Sequence, residues 1–215
     1  MKASESSLPS FPSISDQGFV EACMQLVGIY QSHGEFQSSW TKVQLDKVDS
    51  VTFMTIQRDI EVDRNVIDAD ELVDDEFHEH DDHSIVKTDG PTVRARFTII
   101  RSPTYQVPVL YFDLLDQHSK PVTDIADVYR ILVPEIHRCQ INSIGVIGAI
   151  SMTSHPITDR PTFFVHPCRT AEALSNVVSN RPYRTLDYLM LWFGIVGSTL
   201  GLSIPVELLN ASNTA

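Results

Sequence analysis

Apolar residues recur at helical spacing in the first part of the chain. From Asp16 to about Ser32 they are three or four positions apart, which predicts an amphipathic helix. Ser15 comes just before this segment and is a favourable N-cap residue. The predicted core-facing stripe consists of Phe19, Val20, Cys23, Leu26, Val27 and Tyr30. We expect Cys23, as a member of this stripe, to be a packing residue rather than a reactive thiol.

Alternating and β-branched residues predict strands further along the chain. Ser39–Leu45 and Val51–Arg58 form a predicted hairpin around Asp46–Ser50, and Val51–Arg58 is one candidate for a free sheet edge. Thr92–Ile100 alternates apolar and polar residues, as a half-exposed strand does. Val109–Leu115 is more continuously apolar, which is typical of a central strand. We expect the last two strands to pair as neighbours in an antiparallel sheet.

Two more helices are predicted from their starting residues. Thr123 is a suitable N-cap for a short helix that runs through Leu132 and ends before Pro134. Thr170 is a suitable N-cap for a helix over Ala171–Val178.

The apolar segment Tyr188–Val206 allows two interpretations. It contains no charged residue and is about long enough to span a bilayer, which would make the protein a tail-anchored membrane adaptor. Its glycines make it only moderately hydrophobic, however. A helix over about Thr185–Leu200, buried against the sheet, fits the same residues.

Acidic residues are concentrated in one segment, Asp59–Asp89. It holds thirteen acidic residues and two basic ones, a local charge of −11 out of the net −12. Such a segment repels itself and has little to bury, so we expect a long disordered acidic insertion over residues 60–90. His78, His80 and His83 lie among these carboxylates. A solvated acidic loop is the interpretation we adopt over a metal site, because a flexible segment would have to be ordered to bind.

The composition fits one globular α+β domain, with 42% hydrophobic and 20% charged residues in a chain of 215. We expect a disordered N-terminus over 1–14, a single domain over 15–210 that the insertion interrupts, and a tail over 211–215. The net charge of −12 argues against nucleic-acid binding through a basic surface. The N-terminal segment lacks an apolar signal, and the three cysteines form no CxxC pair, so we expect a reducing cytosol.

The candidate chemistry lies in residues 163–170, FFVHPCRT. A short apolar segment ends in His166-Pro167, and Cys168 follows at once. Its position near a helix start and beside Arg169 favours the thiolate, the reactive form of cysteine. The alternative is that Cys168 is a small buried apolar residue, which is the usual state of a free cysteine. The chain contains neither GxSxG nor HExxH, so hydrolase and zinc-protease readings have no motif to support them.

The order of the elements, the stretch Tyr105–Tyr111 (YQVPVLY) and the tripeptide His166-Pro167-Cys168 together resemble the autophagy E2-like conjugating enzymes, in particular the autophagy-related protein ten branch. The resemblance covers roughly Asp16–Pro205, apart from the acidic insertion. It implies an E2-like core, with an antiparallel sheet of about four strands packed against helices and an extra β-hairpin.

The resemblance also implies an activity in autophagy and its partners. Cys168 would accept a ubiquitin-like modifier, autophagy protein twelve, as a thioester from an E1-like activating enzyme, autophagy protein seven. It would then transfer the modifier to a lysine of an acceptor, autophagy protein five. No cofactor, metal, nucleic acid or stable membrane insertion is expected. The implied location is the cytoplasm, with recruitment to the autophagosome assembly site.

The sequence identifies the residues that would assist Cys168 less clearly than it identifies Cys168 itself. Ordinary ubiquitin E2 enzymes carry His-Pro-Asn with the cysteine further on, whereas here Cys168 itself takes the third position. The donor that stabilises the oxyanion must therefore come from elsewhere. Tyr105 matches a family tyrosine near the catalytic cysteine, and Asn142 is a second candidate as an upstream amide. His166 is expected to fix the backbone turn rather than to move protons. A catalytically inert E2-like binding module, with Cys168 only packed, remains the alternative.

Overall fold

One antiparallel sheet organises the part of the chain that the structure describes. This computed structural model describes residues 11–33, 39–62, 91–133, 150–177 and 183–212. The strands are β1 (Lys42–Val48), β2 (Val51–Glu61), β3 (Thr92–Arg101), β4 (Pro108–Leu115), β5 (Ile150–Ser154) and β6 (Pro161–Val165). The α-helices are α1 (Asp16–His33), α2 (Ile125–Leu132), α3 (Thr170–Val177), α4 (Thr185–Ile195) and α5 (Val206–Ser212). The strand order across the sheet is β1-β2-β3-β4-β6-β5.

The structure confirms the predicted hairpin and the pairing of the two strands that follow it. β1 pairs with β2, and β3 with β4, in antiparallel register. The hairpin turn is tighter than expected, because pairing continues to Val48 and Val51. Two residues remain in the turn, and Asp49 takes a φ of 52°, which aspartate tolerates better than most residues.

The prediction that β2 could be a sheet edge is wrong. β2 lies between β1 and β3, so the edges of the sheet in the described residues are β1 and β5. The predicted α+β fold, with an antiparallel sheet packed against helices, is confirmed. The sheet in the described residues has six strands, because the hairpin of β1 and β2 is continuous with the other four. β5 was hard to delimit from the sequence because it is only five residues long and follows a segment that contains two glycines.

The first residues of the predicted insertion pair within the sheet. Residues 60 and 61 belong to β2, where Ile60 pairs with Val93 and Glu61 with Thr92. Val62 is buried and its N–H donates to the Pro91 carbonyl at 3.0 Å. Cross-strand pairing therefore holds these residues despite their acidic surroundings. The remainder of the predicted insertion, with its three histidines, lies outside the described residues.

Residues that precede the predicted start of the domain at residue 15 also pack against it. Ile14 is 1% exposed, and its N–H donates to the Gln106 carbonyl at 2.9 Å. The Phe11 ring stacks on Tyr183 at 5.5 Å, and the Tyr188 hydroxyl donates to the Pro12 carbonyl at 2.9 Å. At the other end, α5 extends through residue 212 into the predicted tail.

The core lies between one face of the sheet and helices α1 and α4. The alternation in β3 is confirmed, with buried Val93, Ala95, Phe97 and Ile99 on the core face. The apolar stripe of α1 faces the same core, and Cys23 in it is fully buried. From α4, Trp192 is buried and its Nε1–H donates to the Pro108 carbonyl at 3.0 Å, which ties the helix to β4.

The helix predicted over residues 185–200 is present but ends earlier as an α-helix. After Ile195 the chain continues as a 3-10 turn, Gly197–Leu200, and Gly201 closes it with a φ of +63°. The Leu202 N–H donates back to the Gly197 carbonyl at 2.8 Å, as at a glycine-terminated helix end. Among the described helices, none has both the length and the apolar character to cross a membrane.

The N-cap of α2 is Asp124 rather than the predicted Thr123. The Asp124 Oδ1 accepts the N–H of Ala126 at 2.8 Å, and α2 starts at Ile125. Both residues are acceptable caps, so composition alone could not separate them. The helix ends as predicted, with Val133 in an extended conformation before Pro134.

Substitutions at positions 123 and 124 test which of the two residues is the N-cap of α2. Asp124→Ala should lower the free energy of unfolding by about 1 kcal/mol, because it leaves the Ala126 N–H without its acceptor. Thr123→Ala should change it by less than about 0.5 kcal/mol. Urea denaturation followed by circular dichroism measures both values. An equal loss in the two variants would contradict the assignment of Asp124 as the cap.

Candidate active site

The strand β6 delivers the candidate cysteine to the surface. β6 pairs with β4 through Tyr111 with Phe164 and Phe112 with Phe163. The chain then leaves the sheet at His166, whose φ and ψ of −66° and 125° are the extended values that a residue before proline prefers.

Cys168 lies in the first turn of a helix. Pro167 begins a 3-10 turn, Pro167–Arg169, which continues directly into α3. Proline at this position costs no hydrogen bond, because the first N–H groups of a helix have no partner within it.

The predicted N-cap Thr170 is wrong, because the helical segment starts three residues earlier. Thr170 has helical φ and ψ of −62° and −45° and is buried. The cap is His166, whose Nδ1 accepts the N–H of Cys168 at 3.2 Å. Histidine was overlooked because serine, threonine, aspartate and asparagine are the usual caps. Cys168 therefore sits inside the first turn and not two residues before the helix.

The two cysteines in the described residues have opposite surroundings. Cys168 is exposed, whereas Cys23 is buried in the core, where burial raises the pKa of its thiol. The alternative that Cys168 is a buried packing residue is therefore wrong. The neighbouring Arg169 forms an ion pair with Glu172 at 3.6 Å, so its charge is partly directed to the first turn of α3.

The structure brings Tyr105 to the same place. The Tyr105 ring meets the His166 ring edge to face, with centroids 5.7 Å apart, and the tyrosine is 43% exposed. Tyr105 lies in the turn between β3 and β4, where its N–H donates to the Ser102 hydroxyl at 3.2 Å. The next residue, Gln106, has a φ of 55°, and its carbonyl accepts the Ile14 N–H. The segment that precedes α1 thus helps to hold this turn.

Of the four predicted site residues, the structure gathers three: Tyr105, His166 and Cys168. Asn142 lies outside the described residues. Within the described residues, no group of three or more His, Cys, Asp or Glu side chains is arranged to hold a metal ion.

Sequence reasoning missed a row of rings on the sheet beside the cysteine. Phe164 lies 5.8 Å from His166 between ring centroids, and Tyr111 stacks on Phe164 at 6.0 Å and 19°. The row depends on the register between β4 and β6, which local patterns do not reveal. The aromatic residues of YQVPVLY and FFVHP were the available signal.

Comparison with known proteins identifies the family of this chain. The family model described as "Autophagocytosis associated protein, active-site domain" matches residues 18–207. The ubiquitin-like-conjugating enzyme ATG10 of Gibberella zeae is 29% identical over 94% of this chain and 98% of its own length. The enzyme of the same name from Homo sapiens is 29% identical over 62% of this chain and 61% of its own. The Arabidopsis thaliana enzyme is 34% identical over 53% and 52%.

A crystal structure described as autophagic E2, Atg10 superimposes with a TM-score of 0.48 at 14% identity, covering 89% of this chain and 99% of that one. Because the family model spans most of the chain and relatives with one shared name match it, the chain belongs to the autophagocytosis-associated active-site domain family and is an E2-like conjugating enzyme of autophagy, a transferase of ubiquitin-like proteins.

Proposed function

We propose that Cys168 is the residue that carries the ubiquitin-like modifier. The observation that supports this role is the exposed thiol in the first turn of a helix, at a turn capped by His166. Exposure gives the thiol access to a protein-bound thioester. Cys23 is enclosed in the core and offers no comparable access.

The reaction has two acyl transfers. The Cys168 thiolate attacks the thioester carbonyl of the modifier's C-terminal glycine, the bond to the activating enzyme's sulfur breaks, and that sulfur leaves as a thiolate. An acceptor lysine amine then attacks the new thioester. An isopeptide bond forms, the carbon–sulfur bond to Cys168 breaks, and the amine loses its proton to solvent or a base.

An enzyme of this kind acts with an E1-like enzyme and a ubiquitin-like substrate. We assign the specific partners from the resemblance: autophagy protein seven as the activating enzyme, autophagy protein twelve as the modifier and autophagy protein five as the acceptor. We place the reaction in the cytoplasm, with recruitment to the autophagosome assembly site. The charge of −12 gives no support to a nucleic-acid partner.

The oxyanion of each tetrahedral intermediate needs a hydrogen-bond donor. The Cys168 N–H is already donated to His166, so it is not free for this purpose. The Tyr105 hydroxyl is the candidate in the described residues, because its ring packs on His166 and its side chain reaches solvent. Asn142 stays a second candidate from the sequence.

Replacing the proposed carrier tests the function directly. The wild-type protein, mixed with the activating enzyme, the modifier and ATP, should form an adduct that reductant cleaves. Cys168→Ser should form an adduct that resists reductant, because an oxygen ester replaces the thioester. Gel electrophoresis with and without reductant distinguishes the two bonds.

Cys23→Ala is the matched control and should charge like the wild type, since Cys23 lies in the core. A reductant-sensitive adduct that persists in Cys168→Ser would reject Cys168 as the carrier. If partners shown to be active with another E2-like enzyme give no adduct at all, the protein is an inert binding module.

Tyr105→Phe removes the hydroxyl and keeps the ring against His166. If the hydroxyl stabilises the oxyanion, transfer from the preformed thioester to the acceptor should slow by about tenfold or more. Single-turnover discharge at saturating acceptor measures this rate. An unchanged rate would exclude Tyr105 as the donor.

His166 is expected to act through the cap. His166→Ala removes the acceptor of the Cys168 N–H and should slow charging by about tenfold, because small displacements of a reacting group are costly. His166→Asn supplies an oxygen acceptor at the same position and should stay within about threefold of the wild type. Equal losses in both variants would instead indicate a role that requires the imidazole itself.

A further inference from the structure

A second His-Pro dipeptide begins the turn that leads from β5 into the other end of β6. His155-Pro156 precedes the strand, as His166-Pro167 follows it. The Nδ1 of His155 accepts the N–H of Ile157 at 3.2 Å and that of Thr158 at 3.4 Å. His166 accepts the N–H of Cys168, again two residues on, at 3.2 Å. The two histidines therefore cap the turns at both ends of one strand in the same way.

His155 also closes the turn between β5 and β6. Its N–H donates to the Arg160 carbonyl at 2.8 Å, and its carbonyl accepts the Asp159 N–H at 2.9 Å. Asp159 has a φ of 54°, so the turn includes a left-handed residue. His155 is 7% exposed, which is unusual for a histidine in a loop and leaves its ring little freedom.

A continuous row of rings joins the two histidines across the sheet. The His155 ring lies 5.6 Å from Tyr111, Tyr111 stacks on Phe164 at 6.0 Å, and Phe164 lies 5.8 Å from His166. The row ends with Tyr105, 5.7 Å from His166. Because packed rings shift together, a displaced His155 would disturb the packing that orients His166.

The hydrogen bonds define the form of His155 that this arrangement requires. A backbone N–H can only donate, so Nδ1 carries a lone pair and the ring is neutral. Burial lowers the pKa of His155. Asp113 on β4 opposes that shift and Arg96 on β3 adds to it, and these two side chains pair at 3.4 Å. Protonation of Nδ1 would turn the acceptor into a donor and remove both capping bonds.

We propose that His155 is a positioning residue of the cysteine site, which holds the turn of Cys168 from the opposite end of β6 through the rings of Tyr111, Phe164 and His166. This inference rests on the proposed role of Cys168. His155 touches no substrate; it acts by fixing the strand and the rings on which the capping histidine packs.

The test compares His155→Ala with His155→Asn, which retains an acceptor for the Ile157 N–H. His118→Ala is the matched control, since His118 is exposed in the loop after β4. The first readout is the amide resonance of Cys168 in ¹⁵N-labelled protein, at a temperature where thermal melting shows each variant fully folded. The second is the single-turnover rate of transfer from Cys168.

We expect His155→Ala to move the Cys168 amide resonance and to slow transfer about fivefold, because the reacting thiol is displaced. His155→Asn should restore the resonance and most of the rate, and His118→Ala should change neither. An unmoved Cys168 resonance and an unchanged rate in folded His155→Ala would overturn the proposal. So would an equal effect of His118→Ala.

The experiments distinguish a failure of the His155 proposal from a failure of the proposed role of Cys168. If the wild type forms no thioester, the role of Cys168 is lost, while the amide resonance still reports whether His155 positions the turn.

A double variant of His155→Ala with Phe164→Leu tests whether the effect of His155 passes through the row of rings. The transfer rate of the double variant should fall by less than the product of the two single-variant losses, because both substitutions break the same row of rings. Strict multiplication of the losses would exclude transmission through the rings.

A pH titration gives a further check. The unfolded state binds a proton at His155 more readily than the folded state, so its contribution to stability is present above the ordinary histidine pKa of about 6.5 and declines as pH falls below it. The wild type should therefore lose stability relative to His155→Asn below that pH. A difference between the two that does not change with pH would contradict the neutral capping form.

Discussion

The pairing of β6 with β4 is the contact on which the cysteine site depends. Only two residue pairs join these strands, Tyr111 with Phe164 and Phe112 with Phe163. On the core side, Phe112 and Phe163 stack at 5.6 Å. The buried Thr162 hydroxyl adds a bond of 3.1 Å to the Phe112 carbonyl. A short ladder supported by aromatic packing thus fixes β6 against β4, and pairing with β5 continues to Val165, after which the helical turn begins.

Much of the framework could be predicted because its causes are local. The stripe of α1 and the alternation of β3 follow directly from the burial of one face. The limits of elements were less accessible, because long-range pairing decides them. β2 reaches Glu61 inside an acidic segment since β3 supplies its partners. The cap at Asp124 could not be chosen over Thr123, as both have suitable side chains.

The sequence predicted some residues of the site better than others, again because local motifs are visible in a sequence and long-range contacts are not. The tripeptide pointed to Cys168, and its exposure is now seen directly. Tyr105 came from the resemblance and not from any pattern in its own neighbourhood. Its contact with His166 joins residues about sixty positions apart, so only the folded sheet reveals it. Cys23 and Cys168 show the same limit, because one residue type has a structural role in one place and an accessible thiol in the other.

The bond between Ile14 and Gln106 has a practical consequence for the choice of fragment boundaries. It joins the segment before α1 to the turn that holds Tyr105, and Arg101 reinforces it by donating to the Ile14 carbonyl. A fragment started at residue 15, where the helix signal begins, would keep the described helices and strands but lose both of these bonds to that turn and its flank. A fragment started at Ile14 would also lose the stacking of Phe11 on Tyr183 and the Pro12 carbonyl that accepts the Tyr188 hydroxyl. Expression clones should therefore start no later than Phe11.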